Sequence, residues 1–359
     1  MFMSRRGAIA CAAASIAVLT AGSPAEAQTG LLDRLQIHGY LTQGYVTSSD
    51  LPIFGIPTDG TADYRNAALQ FRYGLSQSDN VVLQFNHRRL GNSVLTQQGS
   101  DVELSWAFYQ HRFGGNASVR IGRVPMPGGI FNETRDVGTL LPFYRAPGNF
   151  YMEGIETIDG VTGTLELPFG DWSFESHASY GGFGIEIPIM TPEGAQLYVD
   201  RIEGLSTYQG WLNTPLYGVR VGGSGMHWSD ETQGGDVLGW SASVDADRER
   251  FFVRGEYRNL DLNGTRLSNY YAQGGVRLGR VGVNGQADFA DTQVDTPIGE
   301  LRYQGARDLA VGLSFSHTPL LVYKLEAHRA KGSTFDTFID PMGPKAQSDY
   351  FIGSVSVSF

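Results

Sequence analysis

Apolar and polar side chains alternate with a period of two along most of this chain. Leu69, Phe71 and Tyr73 alternate with Gln70 and Arg72, and Val81, Leu83 and Phe85 with Gln84, Asn86 and Arg88. Val102, Leu104, Trp106 and Phe108 alternate with Glu103, Ser105 and Tyr109. Phe251, Val253 and Tyr257 alternate with Arg254, Glu256 and Arg258, and Leu309, Val311, Leu313 and Phe315 with Ala310, Gly312, Ser314 and Ser316. Period two belongs to a strand, whose successive side chains point to opposite faces. A long series of such dyads with no helical pattern between them predicts one antiparallel meander. The last nine residues repeat the pattern. Phe351, Gly353, Val355, Val357 and Phe359 share one face, and Ile352, Ser354, Ser356 and Ser358 the other.

Turn signals fall into two lengths that alternate. Short ones lie at 76–79, 114–116, 168–171, 213–215, 245–250, 278–282 and 316–320. Long ones lie at 48–61, 91–99, 125–158, 181–198, 229–236, 259–267, 290–307 and 332–348. Together they join about sixteen strands, with the strand near 199–212 the weakest. Alternating short turns and long loops are the pattern of a transmembrane β-barrel, all-β and antiparallel. Nothing after residue 27 approaches the ~18 apolar residues of a membrane helix, so a membrane location requires a barrel, in which every backbone group is paired.

Both ends of the chain agree with that reading. Arg5 and Arg6, the apolar run Ala8 to Leu19 and the small-residue site Ala25-Glu26-Ala27 form a secretory signal peptide, residues 1–27, with one domain from 28 to 359. The only cysteine, Cys11, leaves with it, so no disulfide, thiolate metal site or cysteine nucleophile is expected. At the other end Phe359 closes an amphipathic strand, which resembles the signal read by the outer-membrane assembly machinery. A soluble sandwich could also end on such an edge strand. The net charge is −10, and one unit more negative after cleavage, which disfavours a nucleic-acid partner. The 47 glycines among 359 residues suit tight turns and flat strand faces.

The longest connection, 125–158, follows the fifth strand. Its run Pro125-Met-Pro-Gly-Gly-Ile-Phe and its later Leu140, Leu141, Phe143, Tyr144 and Phe150 are poor residues for a solvated tip. They are expected to bury against the inner wall of the barrel, with Arg135-Asp136 starting a short helical turn; the alternatives are a lid over the mouth or a subunit contact. Gly122-Arg-Val-Pro125 ahead of the loop, and Trp211-Leu-Asn-Thr-Pro215 followed by Gly218-Val-Arg220, resemble stretches of the Gram-negative general porins. Members of that family are 16-stranded barrels whose third external loop narrows the lumen. The resemblance covers the mature chain in architecture but only these stretches in sequence, and the acidic Pro-Glu-Phe-Gly-Gly-Asp loop motif is absent. It implies a homotrimer in the outer membrane of a Gram-negative bacterium, in contact with lipid, lipopolysaccharide and the barrel assembly machinery.

With the apolar member of each dyad facing lipid, Arg72, Arg88 and Arg120 project inward from early strands and Arg220, Arg254, Arg258 and Arg277 from later ones. The loop adds Glu133, Asp136, Glu153 and Glu156. Arginines facing carboxylates across a neck would set a transverse field and the ion selectivity. Any one of them could instead sit in an internal salt bridge. Asp159, Glu166, Glu175, Asp288 and Glu326 read as lumen-facing too, so the pore is mixed in sign.

The resulting expectation is a water-filled channel for passive diffusion of small hydrophilic solutes and ions, without a cofactor. A substrate-specific channel (phosphate or another anion, sugar or carboxylate) is the alternative. Tyr40, Tyr109 and Tyr271 could form a sugar track, or an aromatic girdle. An outer-membrane enzyme is a weaker reading. His38, His87, His111, His177, His227, His317 and His328 are scattered, with no nucleophile motif, no His-Glu-x-x-His and no phosphate-binding loop. An adhesive barrel with a filled lumen is weaker too, since sixteen strands enclose an aqueous channel.

Overall fold

A computed structural model describes residues 30, 33–93, 96, 102–151, 155–191, 194–230, 235–297, 299–332 and 347–359. The expected signal peptide and Glu153 lie outside the described residues. Sixteen strands follow in order: β1 (Leu35–Ser48), β2 (Thr61–Gly74), β3 (Asp79–Leu90), β4 (Glu103–Phe113), β5 (Ala117–Pro125), β6 (Thr157–Phe169), β7 (Trp172–Thr191) and β8 (Gly194–Asn213). The second half comprises β9 (Val219–Asp230), β10 (Gly235–Asp247), β11 (Phe251–Leu262), β12 (Thr265–Leu278), β13 (Val281–Thr296), β14 (Gly299–Thr318), β15 (Leu321–Gly332) and β16 (Gln347–Ser358). Each pairs antiparallel with its sequence neighbours, and β1 pairs with β16 from Tyr40↔Ser358 to Ser48↔Tyr350. The sheet is a closed barrel. Closure leaves no strand edge unpaired.

The dyads sort the faces. On β14, Val311 is 65% exposed while Ala310 is 5% exposed. Across the closing seam Phe351, Val357 and Phe359 are exposed and Ile352 and Ser356 are buried. Exposed apolar rows thus mark the outer face and buried, mostly polar rows the inner one.

The structure departs from the sequence reading in five places. Residues 181–198 and 290–307 are not loops but the upper parts of two long hairpins, β7–β8 and β13–β14. Likewise 259–267 is a tight hairpin on Asn263-Gly264, both at positive φ. Asn-Gly favours a type I′ turn, whose twist matches the flanking strands. Charged residues on these hairpins mimic a loop, but their backbones still pair. In β4 the pairing jumps from Gln84↔Trp106 to Phe85↔Leu104, so Ser105 is a bulge. One extra residue reverses the parity beyond it. Trp106 and Phe108 therefore share the inner face and Tyr109 the outer, and the three-tyrosine track is not assembled. Finally, Asp159 sits on the outer face with Val161, where Arg123 pairs with it at 2.7 Å.

Gly122 shows how tightly the wall is built under the long loop. It has φ +129°, and a Cβ there would lie 2.2 Å from the Ala107 carbonyl oxygen. Only glycine fits both the backbone conformation and the space.

Candidate functional site: the lumen and its internal loop

The loop between β5 and β6 leaves the wall as a closed neck. Met126 N–H donates to the Glu156 carbonyl at 2.9 Å, one step beyond the last ladder pair, Pro125↔Thr157. From there its contacts run to inward side chains of distant strands. Gln209 on β8 donates to the Gly129 carbonyl at 2.9 Å. Glu256 on β11 accepts from Ile130 N–H at 3.1 Å, from the Tyr151 hydroxyl, from the Tyr271 hydroxyl at 2.7 Å and from Ser243 at 2.6 Å. A buried carboxylate is tolerable there because its lone pairs are filled. Burial, with that carboxylate beside it, holds the Tyr151 hydroxyl far above its usual range and keeps it a donor.

The loop then crosses to the seam. Lys324 on β15 is 1% exposed, and its ammonium donates to the carbonyls of Gly138 at 2.6 Å and Phe143 at 2.7 Å. Glu326 accepts from Tyr144 N–H at 2.6 Å and, with Asp308, holds His328 between two carboxylates. Asp288 on β13 accepts from Asn149 N–H at 2.8 Å, and Asn269 on β12 donates to the Asn149 carbonyl at 2.7 Å. Phe131, Leu141, Phe143, Tyr144 and Phe150 are all buried, while Leu140 stays 61% exposed. The Arg135-Asp136 segment is a run of turns with no helix. A second loop, 49–60, packs on the same body: Phe54 stacks under Arg145 and against Tyr350.

The candidate charges separate into groups. Arg88 pairs with Glu156 at 2.8 Å and with Asp136 at 3.2 Å, bringing three of them together. Arg120 pairs with Glu133 at 2.8 Å, and the Glu133 side chain is 53% exposed. Arg220, Arg254 and Arg277 gather around Asp245 and Asp247 near the short-turn end, away from the loop carboxylates. Arg258 stacks on Phe150. Arg72 stands apart with Arg34 and Arg112 in a vestibule of about 760 Å³ at the short-turn end. Phe359 sits on the outer face beside Gly39. Of the residues that bind the loop directly, Glu326 and Asp288 were read as lumen-facing from the sequence, whereas Lys324 and Glu256 were not singled out. The dyad Lys324, Glu326, His328 against Tyr323, Leu325, Ala327 carried the signal.

Another stretch of wall carries smaller groups. On β6, β7, β9 and β10 several inner positions are small hydroxyl side chains bonded to one another across the strands, Thr162 to Ser179 at 2.8 Å and Ser224 to Ser241 at 2.7 Å, beside larger inward groups that include Glu175, His177 and Arg220. Among the described residues no cluster of His, Asp or Glu is placed to hold a metal ion.

No protein-family model and no curated protein sequence matches the chain. Solved structures do. OmpF of Salmonella typhi, in complex with daunomycin, superposes with a TM-score of 0.60 at 10% identity, over 90% of this chain and 97% of that one. The shared feature is a closed antiparallel barrel of sixteen strands, a fold that matches those of outer-membrane porins. The outer membrane channel DcaP of Acinetobacter baumannii gives 0.59 at 9% identity, over 90% and 97% of the two chains. In-vitro folded OmpT of Vibrio cholerae, an outer membrane protein in its trimer form, gives 0.57 at 10%, over 90% and 99%. At such identities the porin likeness is one of fold.

Proposed function

We propose that this protein is a porin of the Gram-negative outer membrane, a water-filled channel for passive diffusion of small hydrophilic solutes and ions. The observation that carries the reading is the unequal use of the inner wall. The loop 126–156 is bound to β2, β3, β5, β8, β11, β12, β13, β15 and β16, while β6, β7, β9 and β10 carry paired hydroxyls on their inner faces. Such small polar side chains leave room for water in a barrel of sixteen strands. Arg120 and Glu133 stand where loop meets wall and are the charges nearest the passage. Opposite charges paired there support weak ion selectivity.

The outer face supports a homotrimer. On β3 only Val81, Leu83 and Phe85 precede His87 and Arg89, and on β5 Val119 and Ile121 precede Arg123. Outward residues recur every ~5 Å along the membrane normal, so three cover roughly 15 Å of the ~25 Å apolar band of such barrels. Further copies of the chain against β2–β5 would cover what lipid cannot. The remaining outer face then meets lipid and lipopolysaccharide, and Phe351–Phe359 is the handle for the assembly machinery.

The test is single-channel conductance of the refolded chain in a planar bilayer with a salt gradient. Stepwise openings, in groups of three, are expected. A silent membrane with the barrel shown to be folded and inserted would refute the reading.

A further inference from the structure

Beside the constriction lies a cavity of about 250 Å³ between the loop and the inner faces of β1 to β4. Trp106 lines it because the Ser105 bulge turns that indole inward. Below the indole run Gln70, Gln84 and Ser105, joined by hydrogen bonds of 3.0 and 3.2 Å. Asn132 and Glu133 of the loop and Tyr40 of β1 also line the cavity. The cavity is smaller than the ~300–1,000 Å³ of sites for drug-sized ligands, which limits its occupant to about one small ring.

Charge narrows the choice. Glu133 is paired with Arg120, Asp136 and Glu156 with Arg88, and Arg135 lies 3.8 Å from Glu156. Carboxylates and guanidiniums cancel, so neither an anion nor a cation gains net attraction. A neutral solute with one apolar face and a polar rim fits what remains. The electron-rich indole face attracts the weakly positive C–H face of such a ring. Planar amides and a carboxylate at the rim suit vicinal hydroxyls, which donate and accept side by side.

We propose that this cavity is a binding subsite for a monosaccharide, with Trp106 as the stacking platform and Gln70, Gln84, Asn132 and Glu133 as the hydroxyl-reading rim. The proposal rests on the channel reading and gives that channel a solute class. A sugar held here would dwell at the neck and interrupt ion flow.

The experiment is single-channel recording with D-glucose added to one side, on the wild type, Trp106→Ala and Trp106→Phe. Expected are brief, saturable blockages in the wild type, weakened about tenfold by Trp106→Ala, as loss of ~1.4 kcal/mol of stacking implies, and largely kept by Trp106→Phe. Open channels that glucose slows only in proportion to viscosity would overturn the sugar site and leave the porin reading standing. Saturable block by benzoate but not by glucose would overturn it in favour of planar aromatic solutes. A folded but silent barrel would refute the porin reading instead. The sugar site is then decided by tryptophan fluorescence in detergent, where a glucose-dependent change present in the wild type and absent from Trp106→Phe supports it and no change refutes it.

Discussion

Lys324→Met isolates what holds the loop across the lumen. Methionine keeps the length and apolar bulk of the lysine stem and removes the ammonium. The carbonyls of Gly138 and Phe143 then lose donors at 2.6 and 2.7 Å in a place where the lysine is fully buried. Each buried acceptor left without a partner costs ~1–3 kcal/mol, so the docked elbow 138–143 loses about 2–6 kcal/mol relative to a released one. At 1.4 kcal/mol per tenfold, the population of released elbow rises by roughly 30-fold or more. The rest of the loop keeps its bonds to Glu256, Asp288 and Arg88, so release is local and the barrel itself is untouched. Two readouts follow: a noisier and larger single-channel conductance, and new chymotryptic cleavage next to Leu140, Leu141 or Phe143. A variant with wild-type conductance, wild-type noise and no new cleavage would show that the lysine does not hold the loop.

Two further outcomes test the faces and the neck. Leu313→Arg puts a charge into the exposed apolar row Leu309, Val311, Leu313 and Phe315 of β14 and should cost ~2–4 kcal/mol in vesicle unfolding titrations, whereas Ser314→Arg on the inner face should not; equal effects would refute the assigned faces. Glu133→Gln should move the reversal potential toward anion preference and Arg120→Gln toward cation preference, and shifts of the same sign would mean that this pair does not guard the passage.

The periodicity of the chain carries the number of strands and the faces of most of them, because lipid on one side and water on the other force strict alternation. It carries less where alternation stops being about lipid. The distal parts of β7, β8, β13 and β14 carry charge and glycine that imitate loops although their backbones stay paired, while Asn263-Gly264 elsewhere shows how short a turn can be. The bulge at Ser105 could not be read either: one inserted residue costs the sequence nothing visible yet exchanges Trp106 and Tyr109 between lumen and lipid. Parity pointed to several inward arginines and position in the loop to its carboxylates, but neither gave their pairing. Arg88 meets Asp136 and Glu156 across the closed barrel, while Arg277 finds Asp247 near its own turn. Those distances are set by closure and by no local pattern.

The internal loop sits early in the chain, at residues 126–156, and its anchors come late: Glu256, Asn269, Asp288, Lys324 and Glu326. A chain that has laid down only its first strands can hold this segment at Asn66, Arg88 and Arg120 but lacks these later anchors, without which docking is incomplete. Docking therefore reports that the last strands have arrived. It also reports their register, since a slip of one residue would turn Lys324 and Glu326 outward and present Leu325 in their place. Loop docking is in this sense a proofreading step of assembly, complete only in a barrel that has been sewn shut correctly.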